Sequence, residues 1–377
     1  MADEIINEKK FNEGMSNLRD AIDNIDGDLV KLINKRLNIS KQVGELKEKF
    51  NSQVLDKSRE NIIMERLSRL NQGPVSNTTL QYIFSVLIAA SRELQKPQTI
   101  SYLGPAATYT HIAAMNHFGY SGKFVPQTTI GDIFIEVARG ASLYGVIPVE
   151  NSIEGAVNYT LDLLFESDVK ICGEKYQIIS HDLLSETGNI NDIKVIYSHP
   201  QAFSQCRTWL QENLPGVSLE ECGSTARAAK KIVGNKNAAA IASNKAAVEY
   251  NLKIVESKIE DFTKNVTRFL IIAKDEVAKT TTMTGNDKTT IMFVTSHTSG
   301  ALFKTLDPIA KAGLNLVKLE SRPIRNENWS YFFIADIEGH IDDPIIKKAI
   351  DQIGEISLFL KCVGSYPKAQ EGYQEIQ

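Results

Sequence analysis

Apolar residues recur along the first hundred positions with a helical period. Leu18, Ile22, Ile25, Leu29, Leu32, Arg36, Ile39, Val43, Leu46 and Phe50 follow an unbroken 4,3,4,3 spacing, interrupted in character only by Arg36. That spacing is a heptad seam and predicts one helix. At 1.5 Å per residue its span of about 30 residues is roughly 45 Å long. A second helix is expected from Asp56 to Leu70, stopped by Gly73-Pro74, and a third from Asn77 to Gln95. Three helices of which one is that long cannot close a globule alone. The pattern therefore predicts a homodimer or higher homo-oligomer in which the long helices of two chains pack together.

From Thr99 the texture changes to short apolar runs alternating with helical stretches. Ile100–Leu103, Leu143–Val149, Lys194–Tyr197, Ala238–Ala242 and Val266–Ala273 read as strands. Residues 108–118, 129–138, 200–213, 224–233 and 243–250 read as helices. This is an α/β pattern, and a late return of the chain to its first half predicts two lobes around a cleft. Residues 275–288 are polar and read as a linker. The remainder reads as strand Thr289–Thr295, helix Gly300–Lys311, strands Leu314–Ser321 and Ser330–Ile337, helix Pro344–Leu358 and strand Lys361–Ser365. That βαββαβ order predicts a ferredoxin-like α+β unit. The expected organisation is multidomain: residues 1–96 all-α, 97–280 two-lobed α/β, 287–366 α+β, and a polar tail over 367–377.

Composition narrows the class. The 377 residues are 42% hydrophobic and 23% charged, enough apolar material for several cores, which excludes a disordered or fibrous chain. There is no apolar run of about eighteen residues, so no membrane span is expected. The start, MADEIINEKKFNEG, has no apolar segment of the kind a secretory signal needs. Cys172, Cys206, Cys222 and Cys362 are far apart and form no CxxC pair, a usage that suits a reducing cytoplasm. Forty-two basic against 46 acidic residues give a net charge of −4, without the basic excess of a nucleic-acid binder. No metal or cofactor is expected, and any anion must be held by a few placed cations.

Such cations stand in the helical part. Arg36 occupies a seam position, where an unpartnered guanidinium would cost several kcal/mol. One reading is an interhelical salt bridge; the other is an anion site inside a bundle. Arg19 and Lys47 flank the same helix, Asp56, Arg59 and Glu60 share a face of the second, and Ser91 breaks the seam of the third one turn before Gln95. The set contains no nucleophile–base pair and no metal cluster. It suits a small polyanion bearing a hydroxyl, acted on by charge and position alone.

These eight positions resemble the all-helical chorismate mutases over residues 15–96, which are intertwined dimers that convert chorismate to prephenate. The resemblance implies that Arg19 from the partner chain, Arg36 and Arg59 hold the carboxylates. It implies that Lys47 and Gln95 donate to the ether oxygen, with Asp56, Glu60 and Ser91 orienting the ring hydroxyl and the cations. Charge grows on that oxygen as the C–O bond breaks in this Claisen rearrangement, so fixed donors favour the transition state.

Four loops mark the α/β part: Gly104-Pro105-Ala106-Ala107-Thr108-Tyr109, Glu150-Asn151-Ser152, Ser198-His199-Pro200-Gln201 and Asn265-Val266-Thr267-Arg268-Phe269. Singly, each is explained by capping or turn chemistry. Together with Ser224-Thr225-Ala226 they resemble prephenate dehydratase over residues 98–278, which implies a two-lobed, periplasmic-binding-protein-like clamp. The carry-over nominates Thr267 as the catalytic hydroxyl, with Glu150, Asn151, Ser198, Gln205, Ser224 and Thr225 lining the cleft. Thr267 either donates a hydrogen bond to the departing oxygen or relays a proton from a neighbour such as Glu150. Arg268, next along the strand, is expected to point away, into a structural ion pair. His199 reads equally as a general acid and as a helix cap. Ala107 replaces a frequent glycine. Gly223 stands where some relatives carry an acid, and where that acid matters Glu220 or Glu221 would have to substitute.

Gly300-Ala301-Leu302 and Glu320-Ser321-Arg322-Pro323 resemble the ACT regulatory domain over residues 287–366, whose effector in this pathway is phenylalanine. The leading reading is a cytoplasmic bifunctional enzyme of phenylalanine biosynthesis under end-product inhibition. A dehydratase with a merely dimerising helical part is disfavoured by Arg36, Lys47 and Gln95. A non-catalytic amino-acid sensor is disfavoured by Thr267-Arg268. A dehydrogenase fusion would need a Gly-x-Gly-x-x-Gly turn, which the chain lacks. A glutamine amide donates without titrating, so mutase activity is expected to stay flat across neutral pH. A rate profile that collapses between about pH 6 and 8 would contradict Gln95 as the donor.

Overall fold

The computed structural model of the chain describes residues 2–49, 57–95, 98–119, 122–278, 283–324 and 330–369. The chain divides into two compact units, Met1–Pro97 and Gln98–Gln377. Among the described residues no helix is long and apolar enough to cross a membrane.

The first unit is all helix: α1 (Ala2–Lys49), α2 (Lys57–Leu70) and α3 (Asn77–Gln95). The 48 residues of α1 exceed the seam because the preceding Glu- and Lys-rich turns are good helix formers in their own right. Helix α3 packs against both α1 and α2. The seam of α1 remains largely uncovered: Leu18 is 64% and Leu32 63% exposed, and Ile22, Ile25, Leu29, Ile39, Val43 and Leu46 are exposed as well.

The second unit opens with β1 (Thr99–Leu103), α4 (Tyr109–Phe118), β2 (Lys123–Gln127), α5 (Ile130–Ala138), β3 (Tyr144–Asn151), β4 (Gly155–Ala156), α6 (Asn158–Glu166) and β5 (Lys170–Ile178). The chain then crosses to a second lobe. This lobe holds β6 (Asp182–Ser185), β7 (Val195–Ser198), α7 (Pro200–Gln205), α8 (Arg207–Asn213), β8 (Ser218–Glu221), α9 (Thr225–Lys231), β9 (Ala238–Ala242), α10 (Asn244–Tyr250) and β10 (Lys253–Glu256). Strand β11 (Val266–Ala273) returns to the first lobe. The first sheet runs β2-β1-β3-β11-β5 and the second β10-β6-β9-β7-β8. Strand β11 thus sits antiparallel between β3 and β5, with Thr267 opposite Asn151 and Arg268 opposite Glu150.

After a turn of helix, α11 (Asp275–Ala278), come β12 (Asp287–Val294), α12 (Ala301–Lys311), β13 (Leu316–Pro323), β14 (Tyr331–Glu338), α13 (Pro344–Ile356) and β15 (Phe359–Pro367). Their sheet order β13-β14-β12-β15 is the ferredoxin-like arrangement. The pattern reading does not include the short strands β2, β4, β6, β8 and β10 or helix α6. Strand β5 carries too many charges to read as a strand, the expected helix over 200–213 breaks at Cys206, and the linker both opens as α11 and closes early, at Asp287.

One face of the ferredoxin-like sheet carries its helices; the other packs on the first lobe. Leu270 and Ile272 of β11 share a continuous core with Met292, Phe332, Ile334, Val363 and Tyr366. Charges are buried in the same seam. Arg268 is only 6% exposed; its Nε donates to Glu174 at 2.9 Å, its Nη2 to the Tyr366 hydroxyl at 3.0 Å, and its Nη1 lies 2.6 Å from Asp336. Lys288 completes the cluster, 3.0 Å from both Glu174 oxygens. Burial opposes the charge on Arg268, but Tyr366, Asp336 and Glu174 outweigh it and hold the guanidinium protonated. Lys361 of β15 caps the C-terminal end of α6, donating to the carbonyls of Leu164, Phe165 and Ser167.

The fit is closest at Gly364 on β15. A Cβ there would stand 2.1 Å from the carbonyl oxygen of Ile171 on β5. Gly364→Ala should therefore push the two sheets apart and destabilise this unit by about 1–3 kcal/mol. A urea titration following tyrosine fluorescence reads this, and an unchanged midpoint would contradict the packing.

Candidate active sites

In the helical unit the seam arginine finds its partner on the neighbouring helix. Arg36 Nη1 of α1 donates to Ser91 Oγ at 2.6 Å and to the Leu87 carbonyl at 3.1 Å. Ser91 is buried and its hydroxyl also donates to Leu87, at 2.8 Å, so both side chains converge on the broken seam of α3. Burial lowers the Arg36 pKa from its ordinary value. Lys47 lies eleven residues further along α1, about three helical turns, and so projects from the same face; it is half-buried. Glu60 is half-buried on α2, while Arg59 and Arg19 are exposed. Asp56 lies outside the described residues, as does the side chain of Gln95 on α3.

The second site gathers where the chain crosses between lobes. Its hydrogen-bond polarity can be traced from the backbone outward. Asn151 Oδ1 accepts the N–H groups of Ile153 and Glu154 at 3.0 and 3.2 Å. Its Nδ2 must then donate, and does so to Thr267 Oγ1 at 2.9 Å and to Asn265 Oδ1 at 2.7 Å. Asn265 Nδ2 in turn donates to Gln205 Oε1 at 3.1 Å. Thr267, Asn151, Asn265 and Gln205 are all buried, and the chain of bonds runs from the first lobe to the second. Two consequences follow. The Thr267 oxygen accepts from Asn151, which leaves its own hydrogen to be donated. The amide nitrogen of Gln205 has no partner although it is buried.

The other nominated residues are distributed around this line. Ser224 caps α9 by accepting the Arg227 N–H at 3.1 Å, and Thr225 follows it at the helix start. Ser198 is fully buried, its hydroxyl committed to the Ile241 carbonyl at 2.8 Å. His199 caps α7, its Nδ1 accepting from Gln201 at 3.3 Å. Glu150 stands on the opposite face of β3 from Asn151, and its carboxylate meets Lys318 of β13 at 2.6 Å. The carboxylate is thus turned away from the Thr267 hydroxyl. Glu220 and Glu221 are exposed on the edge strand β8, and Glu220 lies 3.6 Å from Lys231. Arg268 points away from Thr267 into its ion pairs, as strand alternation requires.

Ala107 adopts the left-handed conformation with φ +63°. Its methyl is buried against Ala246 and Ala247 of the second lobe, which is what an alanine provides there that glycine does not. The adjoining carbonyls accept from Ser243 and Tyr250.

In the ferredoxin-like part, Gly300 precedes α12 with φ +75°, and no atom lies within 4 Å of where its Cβ would stand. Ala301 and Leu302 form the first turn of the helix. Along β13, Lys318, Glu320 and Arg322 are half-buried, while Ser321 and Pro323 are exposed. Arg322 Nη2 reaches both oxygens of Asp162 on α6, at 3.2 and 3.3 Å. Sequence reasoning missed Lys318, Asp162 and His181, and gave Asn265, which opens the Thr267 motif, no role of its own. Only Asn265, two residues before Thr267 and hence on its face, carried a signal that could have found it.

Family models match in three consecutive stretches: chorismate mutase type II over residues 18–96, prephenate dehydratase over 100–277 and the ACT domain over 289–355. A bifunctional chorismate mutase/prephenate dehydratase of Aquifex aeolicus is 43% identical over 361 residues, 95% of this chain and 99% of the relative. Among solved structures, a prephenate dehydratase from Arthrobacter aurescens in complex with L-Phe is 31% identical with a TM-score of 0.67, over 74% of this chain and 93% of that one. A structure described as a novel type of quorum-quenching acylase, GqqA, is 30% identical with a TM-score of 0.65, over 72% of this chain and 98% of that one. Two differently described activities on one fold mean that fold alone does not decide the chemistry. The chorismate mutase match over residues 18–96 and the bifunctional relative covering 95% of the chain extend the likeness beyond that fold.

Proposed function

The chain belongs to the family of bifunctional chorismate mutase/prephenate dehydratases, and from that premise we propose where each reaction occurs and what each side chain does. The enzyme rearranges chorismate to prephenate and removes water and CO₂ from prephenate to give phenylpyruvate.

The mutase reaction belongs to the helical unit. Arg36, positioned by Ser91, and Arg59 grip the substrate carboxylates. Lys47 and Gln95 donate to the ether oxygen, and Asp56 and Glu60 orient the hydroxyl and the cations. A second copy of the chain covers the apolar seam of α1 and supplies Arg19, which makes the enzyme at least a homodimer. The exposure of eight apolar seam residues supports this reading, since no monomeric helix profits from such a stripe in water.

The dehydratase reaction belongs to the cleft, and one observation carries the assignment: Asn151 donates to Thr267, so the threonine hydrogen is free for the substrate. In the reaction the ring carboxylate leaves as CO₂, its bonding pair moves into the ring, and hydroxide departs with its own pair from the opposite carbon. Thr267 donates a hydrogen bond to that departing oxygen, where negative charge develops. The Gln205 amide with Ser224 and Thr225 holds carboxylate. Ser198 braces β7 against β9 beside the cleft, and Glu150 acts from the back of β3 through Lys318.

Phenylalanine, the ligand of the Arthrobacter aurescens relative, is the inhibitor. It binds at Gly300-Ala301-Leu302 and Glu320-Ser321-Arg322-Pro323, where Gly300 leaves room for a ligand backbone. Its binding reaches the cleft through Lys318 on Glu150 and Arg322 on Asp162. A cytoplasmic setting suits the four free thiols.

Two substitutions test the site assignments. Lys47→Ala should remove mutase activity by about 100-fold or more and leave the dehydratase rate unchanged. Thr267→Val keeps the side-chain shape and should do the reverse. Full dehydratase activity in Thr267→Val, or loss of both activities in either variant, would refute independent sites. Millimolar phenylalanine should lower the wild-type dehydratase rate, and equal rates with and without it would remove the regulatory assignment.

A further inference from the structure

The Gln205 amide raises a question that the substrate-binding reading leaves open. An amide can rotate by half a turn and exchange its donor and acceptor ends at little steric cost. Gln205 serves as a substrate donor only if something fixes its oxygen away from the ligand. Asn265 supplies one donor to that oxygen. The second comes from His181, whose Nε2 lies 2.9 Å from Gln205 Oε1.

His181 sits in the segment that crosses from β5 to β6, and it is held tightly. The residue is 3% exposed. Its backbone N–H donates to Glu260 at 2.8 Å, and its carbonyl accepts from Ile259 at 2.8 Å. The Tyr109 ring stands edge-on to the imidazole at 6.1 Å, and the Tyr109 hydroxyl donates to the carbonyl of Ser180. Burial lowers the His181 pKa against the opposing effects of Gln205 and Glu260, so the ring is neutral at neutral pH and carries a single hydrogen. Because Gln205 Oε1 can only accept, that hydrogen is on Nε2. Nδ1 is left bare, and it has no partner.

We propose that His181 is a positioning residue of the dehydratase site: its Nε2–H, with Asn265, pins the Gln205 oxygen so that the unpartnered Gln205 NH₂ faces the substrate carboxylate. The buried, unpaired Gln205 nitrogen is the mark of a donor awaiting an acceptor, and leaving it unpaired in a substrate complex would be costly. The inference rests on the reading of Gln205 as a substrate contact. A neutral amide on the carboxylate that the product retains binds ground state and transition state alike, so its loss acts on KM rather than kcat.

The test is a double-mutant cycle on the full-length enzyme with prephenate as substrate. Gln205→Met should raise KM about tenfold or more. His181→Met, which fills the same space without the donor, should reproduce most of that rise with kcat within about threefold of wild type. The double variant should be no worse than Gln205→Met, because His181 has nothing left to position. His181→Gln places an amide nitrogen near the old Nε2 and should keep KM within about threefold of wild type. Multiplying effects in the double variant, or an unchanged KM in His181→Met beside a raised KM in Gln205→Met, would overturn the inference. A normal KM in Gln205→Met would overturn it too, by removing Gln205 from the substrate, while the Thr267→Val result stands apart. If His181→Met does not fold, His181→Gln decides: a KM near wild type upholds the proposal and one raised like that of Gln205→Met refutes it.

Discussion

A guanidinium sunk between two sheets is the constraint around which this enzyme is built. Arg268 has no route to water, so Glu174, Asp336 and Tyr366 must be in place whenever the body and the ferredoxin-like part are docked. An unpaired charge there would cost several kcal/mol, a large fraction of ordinary protein stability. The neighbouring residue is Thr267. A strand presents successive side chains to opposite faces, so the hydroxyl in the cleft and the charge in the docking seam are one peptide apart. The candidate cleft and the docking seam are separated by the thickness of a single strand.

The same economy governs the cleft. Two backbone N–H groups, those of Ile153 and Glu154, decide which way the Asn151 amide points. That choice passes through Thr267 in one direction and through Asn265 to Gln205 in the other. Local turn chemistry after β3 thereby sets the donor character of groups on both lobes. None of the four residues Asn151, Thr267, Asn265 and Gln205 is titratable, and the chemistry proposed for them, hydrogen bonding to a departing hydroxide and to carboxylate, needs no proton transfer.

Much of this was legible in the sequence because periodicity is a local property. The heptad spacing gave α1 its axis and Arg36 its anomalous place, and the buried alanine run gave β9 its exact limits. What stayed hidden was non-local or masked by charge. Strand β5, KICGEKYQI, carries a glutamate because Glu174 serves Arg268 and Lys288 at the docking seam. That purpose exists only once the ferredoxin-like sheet packs on the first lobe. Glu150 belonged to a recognisable motif, yet its carboxylate faces Lys318, a partner 168 positions away. His181 is a lone histidine after an apolar run, and nothing in its neighbourhood distinguishes it from a packed core residue.

The position of β11 bears on how the protein is made. Strands β3 and β5 are synthesised early but are not neighbours; the slot between them is filled by a segment that follows the entire second lobe. During translation the first sheet must wait, gapped, with two unpaired inner edges. The emerging chain closes the gap with β11, and the segments that follow then seal its outer surface. Thr267 follows Asn151, Gln205 and Asn265 in the chain, so a nascent chain that ends before β11 has no assembled cleft.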